Sequence, residues 1–143
     1  MSMDMLSKSE RSRQMSRVRS KGNRSTELTL RMRLVRARIR GWKLHAQELP
    51  GVPDFWFARK RVAVFVDGCF WHGCKNCLRM PKQHRAYWEA KIARNIARGL
   101  AVNRALAQAR VRVVRIWEHE VRADTTLTNA IAKIERALGR DPN

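Results

Sequence analysis

Apolar residues recur at helical spacing early in the chain. Leu28, Met32, Val35 and Ile39 follow Ser25, a residue suited to capping a helix, while Arg31, Arg33, Arg36, Arg38 and Arg40 fill the other faces. Gly41 is expected to stop that helix. Residues 42–46 predict a short strand before the turn Leu49-Pro50-Gly51. Residues 54–58 (DFWFA) predict a strand, Arg59-Lys60-Arg61 a tight basic turn, and residues 62–66 (VAVFV) a buried strand, so a hairpin is the natural pairing. The next helix runs from near His84 to about Arg110 with Trp88, Ile92 and Ile96 on its inner face. Gly99 lies inside it, at a cost of about 1 kcal/mol relative to Ala. Residues 111–117 are β-branched and extended, and Asp124 is placed to cap a last helix carrying Leu127, Ile131, Ile134 and Leu138. The order α-β-β-β-α-β-α predicts an α/β fold, a mixed β-sheet flanked by helices.

Residues 1–24 do not fit this pattern. They are rich in Ser, Arg and Lys and carry too few apolar groups to offset the entropy of ordering. Two readings stay open: a flexible basic arm, or an arm that orders on DNA. Residues 25–143 form the single folded domain, and at 143 residues the whole chain is long enough to bury its own core.

Charge narrows the partners. Thirty-one Lys and Arg against twelve Asp and Glu give a formal net charge of +19, so polyanions are the natural partners. Arg far exceeds Lys, and its planar fork suits phosphate and guanine edges. No apolar run approaches the roughly 18 residues that span a bilayer, and the first residues hold no apolar signal core, so a cytoplasmic protein is expected, with no membrane partner.

Cys69, Cys74 and Cys77 form C-x4-C-x2-C. Thiolates so spaced can reach one tetrahedral zinc, which needs a fourth ligand from His72, His84 or His119. His119 follows the 111–117 strand, and a ligand there would tie the loop to the sheet. Plain thiols, or a redox pair in Cys74-Lys75-Asn76-Cys77, are the alternatives; the third Cys and Pro81 argue against the redox pair.

Two acids stand at strand ends. Asp54 follows Pro53 and opens the first hairpin strand; Asp67 closes the second. PD-(D/E)xK nucleases place an acid at the first position and a second acid plus Lys on the next strand, around a divalent metal that assists phosphodiester hydrolysis. Here Asp67-Gly68-Cys69 contains no Lys, so another group must take the proton. His72, just beyond that strand, is poised for general-base work near neutral pH. Each has a plainer reading: Asp54 as a turn residue, His72 as a zinc ligand, and Glu27 as a favourable acid in the first turn of its helix.

The run VAVFVDGCFWHGC (62–74) resembles the signature of the Vsr family, the very-short-patch repair endonucleases. The blocks MSRVRSKGNRSTEL (15–28), LPGVPDFWF (49–57), PKQHRAYWEAKIARN (81–95) and VRVVRIWEH (111–119) resemble the family in the same order and spacing. This resemblance implies a PD-(D/E)xK-nuclease-like core with a structural zinc site, and an enzyme that nicks one strand of double-stranded DNA beside a T:G mismatch left by deaminated 5-methylcytosine. It implies Mg²⁺ held by Asp54 and the backbone carbonyl of Val66, water activated by His72, and Glu27 as an auxiliary catalytic residue. It implies structural Zn²⁺ on Cys69, Cys74, Cys77 and His119. Phe70, Trp71 and Trp88 match aromatic residues that wedge into the stack, and Met15, Arg17, Arg19 and Lys21 fall in the DNA-contacting arm. The implied setting is the bacterial nucleoid, as a monomer, alongside mismatch-repair proteins and a repair polymerase. One position departs: the long helix of the family carries an Asp that orients the catalytic His, and Gly99 stands there, leaving Glu89 or Asp67 as substitutes. The rivals are a catalytically impaired zinc-containing DNA-binding protein on the same scaffold and a ribosome-associated basic protein.

Overall fold

The computed structural model describes residues 24–69, 73–74 and 79–140. A helix over residues 24–36 (α1) leads into strands β1 (Trp42–Leu44), β2 (Phe55–Phe57) and β3 (Val62–Asp67). Helix α2 (Arg85–Gln108) crosses over to β4 (Arg112–Trp117), and the short α3 (Glu118–Arg122) and α4 (Asp124–Ala137) complete the chain. The sheet order is β1-β2-β3-β4, with β1, β2 and β3 antiparallel in turn and β3 parallel to β4. The expected mixed sheet and element order are present, with α3 as an addition.

Alternation along the strands divides the core into two layers. Phe55, Phe57, Val62, Val64, Val66, Val114 and Ile116 pack with α1 and α4, while Trp56, Ala63, Phe65 and Val111 pack with Leu106 of α2. In α4, Leu127, Ile131, Ile134 and Leu138 are buried as their spacing predicts. Asp124 is the first helical residue of α4, not its cap; the N-cap is Ala123, which makes no side-chain bond.

α1 corrects the sequence reading in three places. Ser25 lies inside the helix, not at its cap. The buried face is Thr26, Leu30 and Leu34, whereas Leu28, Met32 and Val35 are 46%, 57% and 61% exposed. Two apolar series offset by two residues compete on this helix, and the sheet takes the pair of leucines. Glu27 lies three residues before Leu30 and seven before Leu34, so this rotation carries it toward the sheet. The helix ends before Gly41. The Arg38 N–H donates to the Val35 carbonyl at 3.0 Å and the Ile39 N–H to that of Leu34 at 2.9 Å, a Schellman cap with Arg38 left-handed at φ 60°.

α2 buries Trp88 and Ile92 as expected, but Ile96 is exposed. The 49–51 turn lies against this helix. At Gly51 (φ +76°) a Cβ would fall 2.6 Å from Val102 Cγ1, so glycine is needed for both its backbone and its size.

Candidate active site

The topology gathers one end of the sheet. β1 and β3 finish there, β2 begins there, and the parallel partner β4 also finishes there. Just past the β1–β2 register pair Leu44↔Phe55, the His45 N–H donates to the Asp54 carbonyl at 3.2 Å. The side chains of Glu27, His45 and Asp54 bring their donor atoms within 4.8 Å of one another. His45 Nε2 is 2.8 Å from Glu27 Oε2.

Asp54 is anchored to the sheet, since its Oδ2 accepts the Val66 N–H at 2.7 Å. A strand residue directs its N–H and C=O to the same edge, so the Val66 carbonyl leaves on the Asp54 side. Carrying the Phe55↔Val64 register two residues further sets Pro53 opposite Val66, and proline has no N–H to offer that carbonyl. The Pro-Asp pair therefore places a carboxylate oxygen where the ladder acceptor for the Val66 N–H would stand. Burial pushes the Asp54 carboxyl up to about 6; the Val66 N–H opposes this, Glu27 reinforces it, His45 opposes it and Asp67 reinforces it.

On the α2 side, Asp54 and Val66 border an open cavity of about 310 Å³ that Asp67, Arg98, Gly99 and Arg115 also line. Asp67 is buried and ion-paired to Arg115 at 2.9 Å. Glu89, the other substitute considered for the missing acid, is exposed and pairs with Arg85 at 2.8 Å.

Cys69 and His119 each lie two residues beyond the register pair Asp67↔Trp117, so adjacent parallel strands deliver both to one point. His119 Nδ1 is 3.4 Å from Cys69 Sγ and 3.6 Å from Cys74 Sγ. Tetrahedral zinc with Zn–S near 2.3 Å and Zn–N near 2.05 Å requires an S···N edge of about 3.5 Å. These three donors fit that ion. The Cys74 N–H also donates to the Cys69 carbonyl at 2.9 Å, which holds these two cysteines together. His84, a candidate fourth ligand, instead stands at the N-cap of α2 in a left-handed conformation.

Of the expected site residues, the structure brings together Glu27, Asp54 and Val66 in one group and Cys69, Cys74 and His119 in another. Trp88 is fully buried, with Tyr87 edge-to-face at 4.7 Å, so here it is a core residue and not an exposed wedge. His72, Cys77, Phe70, Trp71, Met15, Arg17, Arg19 and Lys21 lie outside the described residues. His45 was missed. Its signal was a polar residue closing β1 directly across from the Asp that opens β2, visible only once the β1–β2 register is known. No helix among the described residues is long and apolar enough to cross a membrane.

Residues 3–79 match the family described as DNA mismatch endonuclease Vsr. The chain is 40% identical over 120 residues to the type II nicking enzyme V.XorIIP of Xanthomonas oryzae, covering 82% of this chain and 86% of that protein. It is 43% identical over 86 residues to the type II nicking enzyme V.NaeI of Lentzea aerocolonigenes, 60% of this chain but only 49% of that longer protein. To the DNA mismatch endonuclease Vsr of Escherichia coli it is 31% identical over 90 residues, 62% of this chain and 57% of that one. With a Pro-Asp carboxylate seated on β3 and an acid and an imidazole beside it, the chain belongs to the Vsr family of DNA mismatch endonucleases.

Proposed function

We propose that this protein nicks one strand of duplex DNA beside a T:G mismatch, by Mg²⁺-dependent hydrolysis of a phosphodiester. The observation that carries the reading is the convergence of Glu27, His45 and Asp54, with Asp54 fixed to the Val66 amide, at one end of the sheet. Asp54 and the Val66 carbonyl would hold Mg²⁺. Bound there, the ion would neutralise charge developing on the scissile phosphate and lower the pKa of water. Glu27 and His45 supply a paired acid and imidazole beside Asp54, and His72 is assigned as the base that takes the proton from water. The net charge of +19 supports DNA as the partner.

Zn²⁺ is assigned to Cys69, Cys74, Cys77 and His119. It would pin the loop holding Phe70, Trp71 and His72 to the ends of β3 and β4. Phe70 and Trp71 are assigned as the wedge. A T:G wobble pair is cheaper to unstack than a matched pair, and aromatic stacking recovers about 1–3 kcal/mol per base.

The test is cleavage of end-labelled 20–30-mer duplexes carrying T:G, T:A or C:G at one position, with Mg²⁺ or with chelator. Nicking of the T:G strand alone, abolished in Asp54→Ala with binding retained, supports the reading. Binding without nicking under any divalent ion would overturn it in favour of an impaired DNA-binding protein on the same scaffold, the reading that Gly99 in α2 favours. Tighter binding to RNA than to mismatched DNA would overturn both.

A further inference from the structure

Arg115 is one arginine among many in the sequence, yet its surroundings differ from those of the rest. Its Nη1 donates to both carboxylate oxygens of Asp67, at 2.9 and 3.2 Å. Its Nε donates to Asn103 Oδ1 at 2.8 Å and its Nη2 to the Gly99 carbonyl at 3.4 Å. The guanidinium carbon lies 4.2 Å from the centre of the Phe65 ring. All three nitrogens and one face are therefore committed to protein, across β3, α2 and β4. A guanidinium so engaged is a clamp, not a hand held out to substrate.

What it clamps borders the candidate active site. Asp67 follows Val66, and Val66 provides the N–H that seats Asp54. Arg115, Gly99 and Asp67 line the same cavity as Asp54 and Val66. Glycine is a poor residue for a helix interior, but a Cβ at 99 would stand 3.9 Å from Arg115 Nη2, so a longer side chain there would run into the guanidinium. Arg98 is exposed on the same wall and makes no ion pair among the described residues; it, not Arg115, is the cation open to a phosphate.

We propose that Arg115 is a positioning residue for strand cleavage: through Asp67 it holds the end of β3 against α2, so that Val66 and Asp54 keep one geometry. The proposal rests on the nuclease reading above.

The test compares Arg115→Lys, which keeps the charge and loses the fork, with Asp67→Asn and with the double variant. Single-turnover nicking rate, duplex Kd, thermal unfolding, and Mn²⁺ binding to DNA-free protein by electron paramagnetic resonance are read together. Each single variant is expected to lose about tenfold to a hundredfold in rate, the scale of a small misplacement of reacting groups, with Kd changed less than about threefold. The double variant is expected to be no slower than the worse single one, because both changes cut the same link. Mn²⁺ affinity should weaken in the same variants. If either charge variant fails to fold, Gly99→Leu displaces the guanidinium from the helix side and is expected to slow nicking likewise. Unchanged rates, rate losses that multiply in the double variant, or a Kd that rises by the same factor as the rate falls would each overturn the proposal. If the parent protein does not nick, the nuclease reading fails on its own; Mn²⁺ affinity unaffected by Arg115→Lys then overturns the positioning role separately.

Discussion

Cys69 Sγ and His119 Nδ1 lie 3.4 Å apart although 50 residues separate them, because each stands two residues beyond a register pair of adjacent parallel strands. The contact couples the loop after β3 to the start of α3, where the Glu120 carboxylate accepts the Trp117 N–H at 2.9 Å and fixes the turn that presents His119. A metal at this point would bind the folded chain and not the unfolded one.

Zinc removal should therefore destabilise the protein. A site held at about a thousand times its Kd contributes about 4 kcal/mol, or roughly 10 °C in Tm for a chain of this size. Metal analysis of purified protein should give one zinc per chain, and a strong chelator or Cys74→Ser should lower Tm by that order. Folded, cooperative protein without zinc, and with Tm indifferent to chelator, would remove the metal from the account.

Asp54 should trade stability for chemistry, and the sign follows from its raised pKa. Folding lifts the carboxyl from 3.8 to about 6, chiefly by burial, so the folded state holds this proton more tightly than the unfolded state. The favourable contribution of the protonated group is complete below 3.8 and disappears as pH rises through about 6. Above that, ionised Asp54 is a cost that Asp54→Asn relieves. The difference in Tm, variant minus parent, should be more positive at pH 8 than at pH 4.5, while nicking is lost. The same titration predicts nicking that rises with pH through about 6. A Tm difference independent of pH would show that burial does not perturb this group.

Much of the fold was legible in the sequence because strand and helix periods differ and turn residues mark the boundaries. The β2–β3 hairpin followed from Arg59-Lys60-Arg61 between two apolar runs, and the α2 crossover from the spacing of Trp88 and Ile92. The rotation of α1 was not legible: Leu28-Met32-Val35 and Leu30-Leu34 are both helical series, and only the sheet decides between them. His45 was hidden for a related reason, since a three-residue strand sets its partner by register alone. Arg115 was hidden by abundance in a chain so rich in arginine, and its partners, Asp67, Asn103 and the Gly99 carbonyl, lie on other elements that only the fold brings to it.

That glycine gives a prediction about stability alone. Among the described residues, a Cβ at 99 meets only Arg115 Nη2, at 3.9 Å, an ordinary contact. Gly99→Ala should thus stabilise the fold by about 0.5–1 kcal/mol through the backbone entropy of α2, measured by urea unfolding. A loss of stability would mean that the guanidinium packs more tightly against the helix than 3.9 Å allows.

The rotation of α1 is open to a direct comparison. Leu30 is fully buried among the sheet residues of the first core layer, so Leu30→Ala should cost about 2–5 kcal/mol. Met32 is 57% exposed, and Met32→Ala should change stability by no more than about 0.5 kcal/mol. The two residues are half a turn apart on one helix with similar propensities, so the contrast reads the buried face and nothing else. Leu30→Ala should also slow nicking, because Glu27 shares that face and reaches His45 only while α1 keeps its seat on the sheet. Equal costs at the two positions, or a larger one at Met32, would place the other series against the sheet and take Glu27 away from His45.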